Sequence, residues 1–218
     1  MSEKTNEQKP SLWGIIWSPS VQFERIKEHP KIWGPLGIVT FLFIIGMWLQ
    51  SFGLELELEG LSKEEKVIVS AISTVSLILA GIISPIFGAF ISTLIYLLVA
   101  KIANSKVSFR QLFSMNTYLM IMSALSLIIN GVGFALFGDS GEILYTSLGS
   151  MISAEGAMAG ILSSIELFNI WGVILAAIGL HKVADFSKGL AWTVSIVLYL
   201  IGVIIAMVGA AASGVVGI

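Results

Sequence analysis

The amino-acid sequence predicts an all-α membrane protein with five transmembrane helices, N-terminus inside and C-terminus outside, plus amphipathic interfacial helices. Three observations carry that expectation. Hydrophobic residues make up 56% of the 218 residues and charged residues only 12%, with a mean hydropathy of +0.93. A soluble domain carries about 25% charged residues, so this chain has too little polar surface to coat a globule in water. Charge-free stretches close to the roughly 20 residues needed to cross a bilayer recur along the chain. Finally, the Lys and Arg residues fall on one side when those stretches are threaded through a membrane.

Composition also excludes several function classes. The formal charge is −2 and no basic tract exists to neutralise phosphates, so no nucleic-acid partner is expected. With no cysteine there is no disulfide, thiolate metal site or cysteine nucleophile. The apolar patch Leu12 to Trp17 is too short for a signal peptide and is interrupted by Gly14, so the first span is expected to act as an uncleaved anchor.

Residues 1–10 read as a disordered cytoplasmic tail and 11–218 as a single membrane domain. In residues 11–32, Ser18–Pro19 opens a helix, Val21, Phe23 and Ile26 are apolar, Glu24, Arg25, Lys27 and Glu28 are charged, and Pro30 ends it. That pattern suits a short amphipathic helix at 19–28 on the cytoplasmic face, or a docking helix for a soluble partner. Residues 33–53 form the first span. The acidic segment after it alternates Glu55, Glu57 and Glu59 with leucines and reads as a solvated lip, with a cation site as the rival reading.

Residues 67–100 carry no charge. As one helix they would be about 51 Å long, more than one straight crossing needs. Ser62 with Glu65 forms a capping-box pattern that starts a helix near 63. Ser84–Pro85 reads as a second start. The expectation is an interfacial helix at 63–82, a break, and a crossing at 84–101. A polar loop at 102–113 then leads to spans at 114–137, 160–180 and 190–212.

With these crossings, Lys4, Lys9, Arg25, Lys27, Lys31, Lys101, Lys106, Arg110, Lys182 and Lys188 lie inside, and only Lys63 and Lys66 lie outside. The positive-inside rule favours that threading. Crossing twice within 67–100 would export the basic loop after residue 100.

No catalytic constellation is visible, so the chain is read as non-enzymatic and no cofactor or metal is expected. His29 and His181 sit at expected cytoplasmic helix ends, where an imidazole can meet unpaired carbonyls. The most informative polar residue is Glu166, placed within the fourth span with Asn169 three residues on and Ser163 three residues before, on one helix face. An ionisable group inside a span faces a bundle interior or wet cavity. The sharp reading is a substrate or proton site, and the bland one a packing group. Asn116 and Asn130 suggest interhelical hydrogen bonds, with the third span loosening at Gly131 and Gly133. The last span carries Gly202, Ala206, Ala210 and Gly214, a ladder of small residues that reads as an internal packing seam or a homodimer face.

Residues Trp17-Ser18-Pro19, Phe23-Glu24-Arg25-Ile26, Pro30, Trp33 and Pro35 precede the first span. Val107-Ser108-Phe109-Arg110-Gln111-Leu112 precede the third, and Glu166-Leu167-Phe168, Trp171 and Gly179-Leu180 lie in the fourth. In this order they resemble the Ypt-interacting-protein (YIP, "Yip one domain") family, over roughly residues 11–205. The resemblance implies five spans with a cytoplasmic N-terminus. The short segment before the first span resembles bacterial members, some of which accompany ABC-type exporters and help protect against antimicrobial peptides. It implies an accessory or scaffold subunit in the bacterial cytoplasmic membrane, with an ABC-type transporter as partner. Phe23, Arg25 and Arg110 are the candidate cytoplasmic docking residues. The rival functions are a small transporter or channel using Glu166 and Asn169, and a trafficking adaptor binding a small GTPase through residues 1–32.

Overall fold

Eight α-helices and one 3-10 turn are found among the described residues, which are 9–54, 60–137 and 144–216 of the computed structural model. In order they are α1 (Gly14–Trp17), α2 (Pro19–Glu28), α3 (Trp33–Leu54), α4 (Lys63–Ile102), α5 (Phe109–Phe137), the 3-10 turn (Leu148–Ser150), α6 (Gly156–Ser164), α7 (Leu167–Val183) and α8 (Lys188–Val216). Four of them, α3, α4, α5 and α8, are long and apolar enough to cross a membrane, and α7 is a shorter apolar helix. The acidic residues Glu55, Glu57 and Glu59 lie outside the described residues. So does most of the tail expected at 1–10, but its last residue, Pro10, is buried.

The central element is α5. It packs against α3 and α4 on one side and α7 on the other, while α8 flanks α7 and α6. Glycines allow a close crossing of α3 and α5. A Cβ at Gly46 of α3 would lie 2.6 Å from Leu127 Cβ, and one at Gly131 of α5 would lie 2.6 Å from Leu49 Cβ. Side chains at either position would force the two helices apart. The loosening expected around Gly131 and Gly133 is therefore not seen, because α5 stays helical and uses the missing side chains for contact.

The N-terminal segment folds back onto the bundle rather than lying free on its surface. Leu12, Ile15, Phe23 and Ile26 are buried with Met115, Tyr118 and Leu180. The Tyr118 hydroxyl donates to the Pro10 carbonyl at 3.1 Å. Lys27 pairs with Asp185 at 2.6 Å and Lys182 with Glu24 at 2.5 Å, which fastens α2 to the end of α7 and the turn beyond it. Exposed pairs of this kind contribute about 0–1 kcal/mol. Apolar burial of Phe23 and Ile26 is the stronger hold.

The expected break at Ser84–Pro85 is absent. α4 runs unbroken for 40 residues with Pro85 inside it, about 60 Å at 1.5 Å per residue. An internal proline costs a helix about 3 kcal/mol. Ending the helix within hydrocarbon would orphan several backbone groups at several kcal/mol each, so continuing is cheaper. The ring's usual clash partner, residue 81, is a glycine seated against Ile44 of α3. Ser84 does not cap a helix, and its buried hydroxyl has no hydrogen-bond partner among the described residues. The capping box at the start of α4 is as expected: Glu65 N donates to Ser62 Oγ at 3.3 Å and Ser62 N to Glu65 Oε2 at 2.9 Å.

α5 begins at Phe109, earlier than the expected 114. Ser108 and Gln111 form the same reciprocal cap, with Gln111 N donating to Ser108 Oγ at 3.3 Å and Ser108 N to Gln111 Oε1 at 2.9 Å. The Gln111 amide also donates to the Lys27 carbonyl at 2.7 Å, so the cap ties α5 to α2.

A buried carboxyl at a broken span

The stretch expected as one span at 160–180 is two helices. α6 ends at Ser164, α7 starts at Leu167, and Glu166 between them is extended, with φ −121° and ψ 140°. Neither proline nor glycine occurs at residues 163–167 to signal the break. The partner of the break lies elsewhere in the chain. Residues 146–148 run antiparallel to 165–167 as a single bridge, Ser147 to Glu166. Leu148 N donates to the Ile165 carbonyl at 3.0 Å, and Leu167 N donates to the Thr146 carbonyl at 3.2 Å. Irregular backbone at membrane depth persists only where protein satisfies its polar groups.

The remaining polar groups are satisfied in the same way. The Ser164 carbonyl accepts from Tyr199 Oη of α8 at 3.1 Å and from Glu166 N at 3.0 Å. Glu166 caps α7, its Oε2 accepting from Asn169 N at 2.8 Å. Its Oε1 accepts from Thr146 Oγ1 at 2.6 Å and from Ser126 Oγ of α5 at 3.3 Å. Asn130 of α5 completes the set. Its amide nitrogen donates to Thr146 Oγ1 at 2.8 Å and to the Ser126 carbonyl at 2.8 Å, and its oxygen accepts from Thr146 N at 3.1 Å. A directed chain results, from the Asn130 amide through the Thr146 hydroxyl to the Glu166 carboxyl. Such chains polarise one another in a low-dielectric interior.

Glu166 is 1% exposed and Asn130 fully buried. Among the described residues Glu166 has no ion pair. No group of three or more potential metal-binding side chains occurs among them either. Tyr145 lies over Gly133, where a side chain would collide with its ring, and Phe134 stacks obliquely on it at 5.3 Å. The segment carrying Thr146 is thereby held against α5.

The sequence-derived polar face is corrected accordingly. Glu166 is not within a helix, so Ser163, Glu166 and Asn169 do not share one helical face. Asn169 reaches Glu166 through its backbone nitrogen, while its side-chain amide approaches the Ser164 carbonyl at 3.5 Å. Ser163 is half-buried on α6, and none of Glu166's hydrogen bonds comes from it. Thr146 and Ser126 were not singled out in the sequence, and no local pattern in it points to them.

The other candidates separate. Phe23 is fully buried, with its ring against Gly179 and so out of reach of a docking partner; a Cβ at Gly179 would lie 3.1 Å from it. Arg25 is half-buried, with Nη1 3.5 Å from Gln22 Oε1, and Arg110 is exposed. In the small-residue ladder, Ala206 meets α6: a Cβ at Gly160 would lie 2.5 Å from the Ala206 carbonyl oxygen. Gly202 faces open space instead, and the surroundings of Gly214 lie outside the described side chains. Asn116 bridges helices as expected, donating to Thr93 Oγ1 of α4 at 2.9 Å. His181 meets a carbonyl, with Nδ1 2.7 Å from the Phe186 oxygen.

Fold and site together define a multi-pass α-helical membrane protein with a discontinuous helix closed around a buried carboxyl. The model of the Yip1 domain matches residues 13–210, and the chain belongs to that family. It is 37% identical to "Membrane protein YknW" of Bacillus subtilis (strain 168), over 98% of this chain and 95% of that protein. No solved structure matches the chain.

Proposed function

We propose that this protein is a non-catalytic scaffold or accessory subunit of a membrane complex in the bacterial cytoplasmic membrane. The observation that carries the reading is the closure of the polar cluster. Each oxygen of Glu166 is occupied by donors of the chain itself, so the residue fastens three elements together rather than presenting a reactive group. In contrast, α4 and α8 carry long rows of exposed large apolar side chains, among them Ile72, Val75, Leu79, Phe87, Ile201, Ile204 and Ile205. Such rows suit lipid or another membrane protein. The partner class the family resemblance implies is an ABC-type exporter that protects against antimicrobial peptides; a second copy of this chain is the alternative. Purification from native membranes in mild detergent tests this. Recovery of transporter subunits with the chain, and sensitivity to antimicrobial peptides on its deletion, are expected. A chain recovered alone with no deletion phenotype would overturn it.

One observation favours a second reading, a small transporter or channel working through Glu166. Broken helices with an ionisable group at the break are the architecture transporters use for midplane sites. That reading requires ion or solute flux in liposomes that Glu166→Gln abolishes. The trafficking-adaptor reading loses support with the burial of Phe23.

A further inference from the structure

A cavity away from Glu166 opens at the basic end of the bundle. It has a volume of about 440 Å³ and lies between α2, the end of α7 and the start of α8. Its apolar wall is Ala177, Ile178 and Trp192, and its polar rim is His181, Lys182, Lys188 and the Ser20 residue of α2. We propose that this cavity binds the headgroup of an anionic phospholipid of the cytoplasmic leaflet.

The rim carries two ammonium groups and no carboxylate lines the cavity. Lys182 is paired with Glu24 at 2.5 Å, so the uncompensated charge of the rim is that of Lys188, which is exposed and has no ion pair among the described residues. Lys188 and Trp192 are four residues apart and therefore share one face of α8. His181 is held at the rim by its Nδ1, 2.7 Å from the Phe186 carbonyl oxygen. The order of these groups along the helices matches a phospholipid. Cations sit at the helix ends, the Trp192 indole comes next, and the apolar wall continues into the span. Basic pockets between helices at the cytoplasmic side suit anionic headgroups, and tryptophan favours that depth. A neighbouring surface depression shares His181 and Lys182 and adds Lys27, but it is unsuited, because the carboxylates of Glu24, Glu28 and Asp185 outnumber its two lysines. A free phosphate would use the cations but not the apolar wall, which favours lipid as the source.

The test uses the full chain in phosphatidylcholine nanodiscs doped with phosphatidylglycerol, with retained lipid counted by native mass spectrometry. Wild type should retain phosphatidylglycerol over phosphatidylcholine. Lys188→Gln should lower that retention about fivefold, the effect of one lysine at a charged surface. Lys188→Arg should preserve it, as should Lys106→Gln, an exposed lysine outside the cavity. Soluble glycerol phosphate should fail to displace the lipid. Equal retention by Lys188→Gln and Lys106→Gln would overturn the proposal. So would displacement by glycerol phosphate, which would make the site one for a soluble anion.

Discussion

The Thr146 hydroxyl donates to Glu166 Oε1 at 2.6 Å, across twenty residues of sequence, and joins the segment before α6 to the start of α7. Around this bond the bridge of residues 146–148 to 165–167 satisfies a break in a span that would otherwise expose bare backbone. The bond also passes the Asn130 amide's polarisation to the carboxyl. It is the point where three elements meet.

Replacing Thr146 by valine keeps the shape and removes the donor. Oε1 of Glu166 then keeps only the longer Ser126 bond in a buried setting. Loss of about 2 kcal/mol is expected, measured by unfolding in detergent. Thr146→Ser should restore most of it. Equal stability of the valine and serine variants would show that the bond contributes nothing.

Glu166→Gln and Glu166→Ala should differ. Glutamine retains a side-chain oxygen for Asn169 N and so retains the α7 cap. Alanine removes both the cap and the acceptor for Thr146, and should cost at least about 1–2 kcal/mol. Under the scaffold reading the glutamine variant keeps partner binding. Loss of function in glutamine with a normal melting curve would favour the transporter reading instead.

Gly160→Val should separate α6 from α8, since even a Cβ would meet the Ala206 backbone. A cost of about 1–3 kcal/mol is expected from overpacking. Gly202→Val, on the same helix as Ala206 but facing open space, should leave stability unchanged. The chain has no native cysteine, so introduced pairs at Ser164 and Tyr199 can report the α6–α8 distance by crosslinking. Crosslinking should fall in Gly160→Val and persist in Gly202→Val.

Pro85→Ala should leave the protein at least as stable, because α4 is already continuous and alanine restores a backbone donor. A drop in stability would show that the helix depends on the packing of the buried ring.

A reporter fused after Ser105 should read as cytoplasmic. Ser105 lies at the basic end, its hydroxyl donating to the Ala184 carbonyl at 2.6 Å, beside the α7–α8 turn. An exported reporter would reverse the threading.

The sequence by itself determined the solvent and the rhythm of the chain. Apolar stretches bounded by charge placed α3 and α8 to within a few residues, and the Ser62–Glu65 pair marked the start of α4, because hydropathy and capping act over a few neighbouring residues. The Ser108–Gln111 cap was equally local and equally readable, yet the polarity of residues 102–113 concealed it. What the tertiary structure decided depends on groups far apart in sequence. Pro85 stays inside a helix because the bilayer offers no alternative partner for the groups a break would free. Phe23 is buried because α7 presents Gly179 to it. The fourth span breaks at Glu166 because residues 146–148 supply the hydrogen bonds that a helix would have supplied, and no residue near 166 records that.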